Sequence, residues 1–289
     1  MINLSTVKWL QVEATSKCNA WCPGCSRNND GYGLSDDFVV QDLKTERFKE
    51  VLDLLPNLET IDFCGTFGDA IAAANIIELT ELTVNRVSKV MIRTNGSLRS
   101  ESWWADYAKL LSPHQHDVWF CLDGLEDTHH IYRQGTDYHK IIKNARAFIE
   151  QGGYATWQFI PYAHNEHQIK DCIKLSQELG FKKFEFLKKV RHSFTPRDYR
   201  TGETYTIRPW SKDSVINPLT FARKRVDPKN CMHLEHPSIY LNADGRLNVC
   251  CFFNQIHATF NTNEFMDVPA LLADTKSTPA TCFRHCGSQ

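Results

Sequence analysis

The sequence predicts an α/β fold in which six βα units build one parallel sheet, followed by a small metal-stapled C-terminal unit. Three observations predict it. Short apolar runs alternate with helical periods from residue 8 to about 188, several of those runs end in polar or glycine-containing turns, and eleven cysteines gather mainly towards the two ends of the chain. Six βα units in succession imply right-handed crossovers and a parallel sheet, closed fully or only in part.

The strand candidates fall at 8–15, 58–65, 89–96, 117–124, 154–162 and 182–189, each short and rich in β-branched or aromatic residues. Between them, Phe48, Val51, Leu52 and Leu55 recur at helical spacing, as do Ile141, Ala145, Phe148 and Ile149. Gly152-Gly153 and Gly180 mark the ends of two helices. Strand ends at Thr15-Ser16, Gly65-Thr66, Thr94-Asn95-Gly96 and Asp123-Gly124 should share one face, because parallel β/α folds bind ligands at the C-terminal ends of their strands. After residue 189 the periodicity fades into a connection over 190–230. A hairpin signal at Asp244-Gly245 then lies within a unit spanning 231–289.

The chain has 289 residues, enough to bury a full core, with 33 Lys plus Arg against 34 Asp plus Glu and a formal net charge of -1. This balance supplies no global basic field for a nucleic-acid backbone. The N-terminus lacks a basic segment leading into a long apolar one, and no stretch approaches the length of a spanning helix, so a cytoplasmic protein away from membranes is expected. In a reducing compartment eleven cysteines point to thiols or metal thiolates rather than disulfides. Three are singletons, Cys64, Cys121 and Cys172, expected as small apolar core residues.

Cys18, Cys22 and Cys25 stand at C-x3-C-x2-C spacing directly after the first strand, with Trp21 before the second cysteine. Three thiolates can hold three corners of a cubane cluster and leave the fourth iron open. A zinc site completed by a distant ligand is the competing reading. The motif resembles the signature of the radical S-adenosylmethionine (SAM) superfamily. That resemblance spans about 8–189 and implies a partial (β/α)6 barrel in 1–189 and an aromatic Trp21 near adenine. It also implies an open iron chelated by SAM, and reductive cleavage to methionine and a 5'-deoxyadenosyl radical that abstracts hydrogen from a substrate C–H bond. Gly65-Thr66-Phe67-Gly68-Asp69 is similar to the family's Gly-Gly-Glu-Pro element, with Asp69 for Glu and Ala70 for Pro, whose backbone and carboxylate receive the SAM ammonium. The resemblance further assigns Thr94 and Asn95 to SAM contact, Asp123 to ribose hydroxyls, Gln158 to the nucleoside and Arg133 to the SAM carboxylate. An electron donor such as flavodoxin or ferredoxin is implied as partner.

At the other end, Cys231, Gly245 and Cys250 form C-x13-G-x4-C, and Cys282 and Cys286 form C-x3-C. This resembles the auxiliary-cluster modules called SPASM and twitch, and implies a second four-iron, four-sulfur cluster held by Cys231, Cys250, Cys282 and Cys286. Cys251 competes with Cys250, since neighbours on a strand point to opposite faces. Zinc is again the alternative, with His233, His236 and His285 nearby. Such a cluster would accept an electron in net oxidation or shape the pocket, whereas epimerisation would need a hydrogen donor. Lys188, Lys189, Arg191, Arg197 and Arg200 suggest either an anion clamp or a solvated linker. His164-Asn165-Glu166-His167 reads as surface. With the first strand starting by residue 8, no N-terminal peptide-recognition domain is expected, which favours a small-molecule substrate over a ribosomally made peptide. A zinc-stabilised binding protein without catalysis is the rival from another class.

Overall fold

The computed structural model describes residues 4–187, 193–211 and 238–248. Its strands are β1 (Trp9–Val12), β2 (Thr60–Phe63), β3 (Lys89–Thr94), β4 (Asp117–Cys121), β5 (Tyr154–Phe159), β6 (Lys183–Phe186), β7 (Ser238–Leu241) and β8 (Leu247–Asn248). The helices α1 (Thr45–Leu54), α2 (Ile76–Glu81), α3 (Glu101–Leu111), α4 (Glu126–Tyr132), α5 (Tyr138–Glu150) and α6 (Ile169–Glu178) fill the gaps up to β6. All form one sheet in the order β6-β5-β4-β3-β2-β1-β7-β8, parallel throughout except for the β7/β8 hairpin. Each of the six barrel strands lies within its expected interval.

Alternation along the strands sorts the sheet into two chemically different faces. Leu10, Val12, Ile61, Phe63, Val90, Ile92, Val118, Phe120 and Trp157 point towards the helices. There they pack with Phe48, Val51 and Leu52 of α1, Trp104 and Ala108 of α3, and Ile141, Ala145 and Phe148 of α5. Trp104 is fully buried, contacts Phe120 and Phe148 edge-on or tilted, and donates its indole N–H to Leu98 O at 3.0 Å. Glu13, Asp62, Cys64, Arg93, Trp119, Cys121 and Gln158 take the alternate positions. A parallel strand buried in apolar surroundings on both faces would read as a continuous hydrophobic run; here one face is polar, so the strands alternate.

The hairpin continues the barrel sheet instead of standing apart from it. β7 pairs with β1 in parallel, Trp9 opposite Ser238 and Val12 opposite Leu241. Gly245 closes the turn with φ of 84°, a left-handed conformation, and donates its N–H to Asn242 O at 2.9 Å. The expected boundary at 231 and the ligand candidates Cys231, Cys250, Cys251, Cys282 and Cys286 lie outside the described residues. Among the described residues, no helix is long and apolar enough to cross a membrane.

Residues 193–207 carry more structure than a plain connection. Antiparallel bridges join Phe194 to Ile207 and Arg197 to Thr204. This ribbon lies against the cysteine loop: Arg197 N donates to Asp30 O at 2.9 Å, and Phe194 and Tyr205 pack on the cluster formed by Cys22, Tyr132 and Tyr162.

Candidate active site

The loop after β1 brings Cys18, Cys22 and Cys25 together in one partly apolar pocket with Tyr132, Tyr162 and Ile207. Asn28 fastens the loop from beneath, its buried amide donating to Ala20 O at 3.4 Å and Cys22 O at 3.1 Å. Arg27 reaches back to Ser16 O. N–H groups face two of the sulfurs: Ala20 N lies 3.4 Å and Asn95 Nδ2 3.8 Å from Cys18 Sγ, and Arg133 Nη1 lies 3.8 Å from Cys22 Sγ. The Cys25 thiol donates to Thr66 O at 3.7 Å. Burial pushes all three thiols up, Cys22 to about 12 against the opposing pull of Arg133. Burial without metal therefore keeps them protonated, and metal binding would release protons.

Three thiols in one pocket, two of them faced by N–H donors, are the ligand type that a cubane cluster with one open corner takes from its protein. Among the described residues, no three His, Cys, Asp or Glu side chains converge on a single point as one ion demands.

The turn after β2 docks on the start of the cysteine loop, backbone against backbone. Asp69 N donates to Lys17 O at 2.8 Å, and a Cβ on Gly68 would overlap Thr15 O, with Lys17 O only 3.1 Å away. Gly65 is equally confined, a Cβ there meeting Gly68 O and Glu13 Oε1. Both oxygens of Asp69 are committed: Oδ1 accepts from Ile71 N at 3.0 Å, and Oδ2 from Thr94 Oγ1 at 3.0 Å and Asn95 N at 2.6 Å. It works here as a latch between the β2 and β3 turns. Thr94 and Asn95 belong to the same latch; Asn95 Nδ2 also donates to Asn19 Oδ1 at 2.9 Å.

Asp123 and Arg133 face each other. Arg133 Nε donates to Asp123 Oδ2 at 2.6 Å, and Ile160 N donates to Asp123 Oδ1 at 2.6 Å. Burial raises the Asp123 carboxyl, opposed by Arg133; burial works against the Arg133 charge, yet Asp123 and the neighbouring thiols hold it well above its usual value. Trp21 stacks on Tyr199 of the 193–207 ribbon, centroids 5.4 Å apart and planes 3° from parallel. Gln158 lies deeper in the sheet's polar face, its Oε1 accepting from Arg93 Nη1 at 3.1 Å and from the Cys121 thiol at 3.7 Å.

Several participants carry no motif. Glu13, 1% exposed, accepts from Phe67 N at 2.6 Å and Gly68 N at 2.9 Å through Oε1, and from the Tyr240 hydroxyl at 2.8 Å through Oε2. Tyr240 in turn accepts from Thr66 N at 3.3 Å, so β7 helps to hold the β2 turn. Burial raises the Glu13 carboxyl, offset in part by those hydrogen bonds. The only sequence signal was an acidic residue at an inward position two beyond Gln11. We expect Tyr240→Phe to lower unfolding stability by about 1–2 kcal/mol in urea titration, because Glu13 loses a buried donor.

His129 supports the Asp123–Arg133 pair. Its Nδ1 accepts from Asp123 N at 3.2 Å and its Nε2 meets Thr136 Oγ1 at 3.0 Å, while Thr136 donates to Arg133 O at 2.6 Å. Burial, with Arg133 beside it, drops its pKa to about 3. The unfolded chain protonates this imidazole first, so the stability it contributes is present above the ordinary histidine value of about 6.5 and is lost as pH falls. The stability gap between wild type and His129→Gln should narrow by about 2 kcal/mol between pH 6.5 and pH 5, read by denaturant titration at each pH.

Of the singletons, Cys172 sits in the apolar core as expected, whereas Cys64 and Cys121 face the polar side near Arg93. In the basic segment, Arg197 Nε bonds Gly202 O at 3.0 Å within its own turn, and Arg200 lies over Tyr199; Lys188, Lys189 and Arg191 are outside the described residues. His167 is exposed as expected, but His164 stacks on Tyr162, and Asn165 is buried, donating to Asp123 O at 3.1 Å and Ile160 O at 3.0 Å.

No protein-family model matches the sequence, and no curated protein is matched by it. Solved structures do match. SuiB of Streptococcus suis, bound to S-adenosylmethionine, superposes with a TM-score of 0.59 at 13% identity, over 98% of this chain and 71% of SuiB. The chain shares the fold of SuiB. SuiB bound to its precursor peptide SuiA gives 0.58 at 13% identity, over 96% and 67%. AnSMEcpe with bound AdoMet gives 0.48 at 24% identity over 63% of this chain and 49% of anSMEcpe, so the chain spans about half the length of that protein. The partial barrel implied by the cysteine motif is thus the architecture present, with β7 and β8 extending it past β1.

Proposed function

We propose that this chain is a radical SAM enzyme: Cys18, Cys22 and Cys25 hold a four-iron, four-sulfur cluster whose open iron binds S-adenosylmethionine. What supports this reading most is the shared pocket of Cys18, Cys22 and Cys25, with N–H donors facing two of the sulfurs, beside the confined turn at 65–69, on a scaffold shared with SAM-bound SuiB. When bound, the pair supplies one-electron cleavage of the sulfonium and removal of hydrogen from a substrate C–H bond. Gly65 and Gly68 let the β2 turn fold tightly and dock on the cysteine loop, and main-chain carbonyls of that turn would receive the methionyl ammonium, because both Asp69 oxygens are engaged. Trp21, stacked on Tyr199, would meet the adenine, and Arg133 and Asp123, bound to each other, would meet the carboxylate and ribose.

We place the substrate against the polar face of the sheet, beside Arg93. Arg93 is fixed over the Trp119 ring at 4.2 Å and held by Asp62 at 3.3 Å and Gln158 at 3.1 Å. Its Nη2 has no partner among the described residues, which suits a carboxylate or amide. We read the substrate as a polar small molecule undergoing oxidation or epimerisation, with a second cluster at Cys231, Cys250, Cys282 and Cys286. A peptide substrate is the second reading, favoured by SuiB binding its precursor peptide. The site is expected to work in the cytoplasm with a flavodoxin or ferredoxin as electron donor.

The test is anaerobic reconstitution with iron and sulfide, then SAM and dithionite. The expected products are methionine and 5'-deoxyadenosine, and deuterium carried from a labelled candidate into 5'-deoxyadenosine identifies the substrate. A colourless zinc protein that leaves SAM intact would overturn the proposal.

A further inference from the structure

We propose that Arg133 sets the potential at which the cluster held by Cys18, Cys22 and Cys25 takes up its electron, with Asp123 fixing the guanidinium against Cys22. The inference rests on the function proposed above and goes beyond a SAM contact. Arg133 Nη1 points at Cys22 Sγ from 3.8 Å, within the range of an N–H donor to sulfur. The arginine is largely buried and has little freedom to turn away. Its Nε is bound to Asp123 Oδ2 at 2.6 Å, its carbonyl accepts from Thr136, and its guanidinium lies 5.6 Å from the Tyr132 ring centre. Asp123 is equally fixed, by Ile160 N, by His129 through its own backbone N–H, and by Asn165 through its carbonyl. Swinging the cation out would leave a fully buried carboxylate unpaired.

Reduction places one electron, from an external reductant such as dithionite, on the cluster and its thiolates, with no bond made or broken in the protein. A hydrogen-bond donor and cation fixed at one ligating sulfur stabilises the more negative state and raises the midpoint potential. Arg133 Nη2 has no partner among the described residues, so the same guanidinium can hold Cys22 and still face an incoming carboxylate.

The experiment compares wild type, Arg133→Gln, Arg133→Lys and a control, Arg86→Gln, whose guanidinium pairs with Asp53 at the protein surface. Each is reconstituted anaerobically, its iron and sulfide are counted, and its midpoint potential is measured by dithionite titration followed by electron paramagnetic resonance. The signal tracked is the one that SAM perturbs. With iron content matched, Arg133→Gln should titrate below wild type, Arg133→Lys between the two, and Arg86→Gln at the wild-type value. If Arg133→Gln fails to hold its cluster, a lowered potential in the lysine variant supports the inference and an unchanged one overturns it. An Arg133→Gln protein with a full cluster and the wild-type potential also overturns it. A wild-type chain that takes up no iron–sulfur cluster instead defeats the proposed function.

Discussion

Cys22→Ala should reduce 5'-deoxyadenosine formation from SAM to the level of a protein-free control. Cys22 is the innermost of the three thiols, 7% exposed, in contact with the Tyr132 pocket and faced by Arg133. Alanine removes one of three thiolates on which the proposed cluster depends, and the pocket residues Ala20, Ile160, Ile207, Tyr132 and Tyr162 offer no other thiol in its place. Iron bound at this end of the chain should fall in parallel. Cys172→Ala is the matching control. Its side chain lies in the core between α6 and the sheet, so it should cost on the order of 1 kcal/mol of stability and leave SAM cleavage intact.

Gly68→Ala should weaken SAM binding at least tenfold by equilibrium dialysis and lower the melting temperature. Here the reason is contact and not backbone conformation. The added methyl would occupy the place of Thr15 O and crowd Lys17 O, so the β2 turn must lift off the cysteine loop. Lifting it strains the 2.8 Å bond from Asp69 N to Lys17 O and both bonds from the turn to Glu13. Overpacking of this kind costs roughly 1–3 kcal/mol, and more where buried polar partners are lost with it. The turn carries Thr66, Gly68 and Asp69 together, so one displacement moves the whole edge proposed to border SAM.

The barrel was legible because its code is local. Short apolar runs ending in polar or glycine turns marked all six strands, and helical spacing marked α1 and α5, whose Phe48, Val51, Leu52, Ile141, Ala145 and Phe148 are buried as expected. The structured strands are shorter than the apolar runs because the ends, such as Thr94-Asn95-Gly96, spend their hydrogen bonds on turns. The spacing of the cysteine trio pointed to one shared site, and the three do lie in one pocket. What escaped the sequence depends on contacts between distant segments. β7 beside β1 joins residues over two hundred positions apart, and no local pattern encodes that choice. Glu13 reads as a polar residue in a strand until the β2 turn folds over it. Asp123 and Arg133 each carried a separate SAM contact in the sequence; ten residues apart, they meet from the two ends of α4. Asp69 was read as an open acceptor, and the latch to Thr94 and Asn95 appears only once β2 and β3 lie side by side. The ribbon at 193–207 lacked alternation and read as linker, because its residues pack on the cysteine loop and not on a sheet.

The account depends most on one iron of the N-terminal cluster being free to bind SAM through its amino and carboxylate groups. Electron–nuclear double resonance on the reduced enzyme, with SAM carrying nitrogen-15 at the amino group, tests that directly. A resolved coupling between the label and the cluster spin is the predicted result. Bound SAM with no such coupling, on a cluster that is present and reduced, would contradict it.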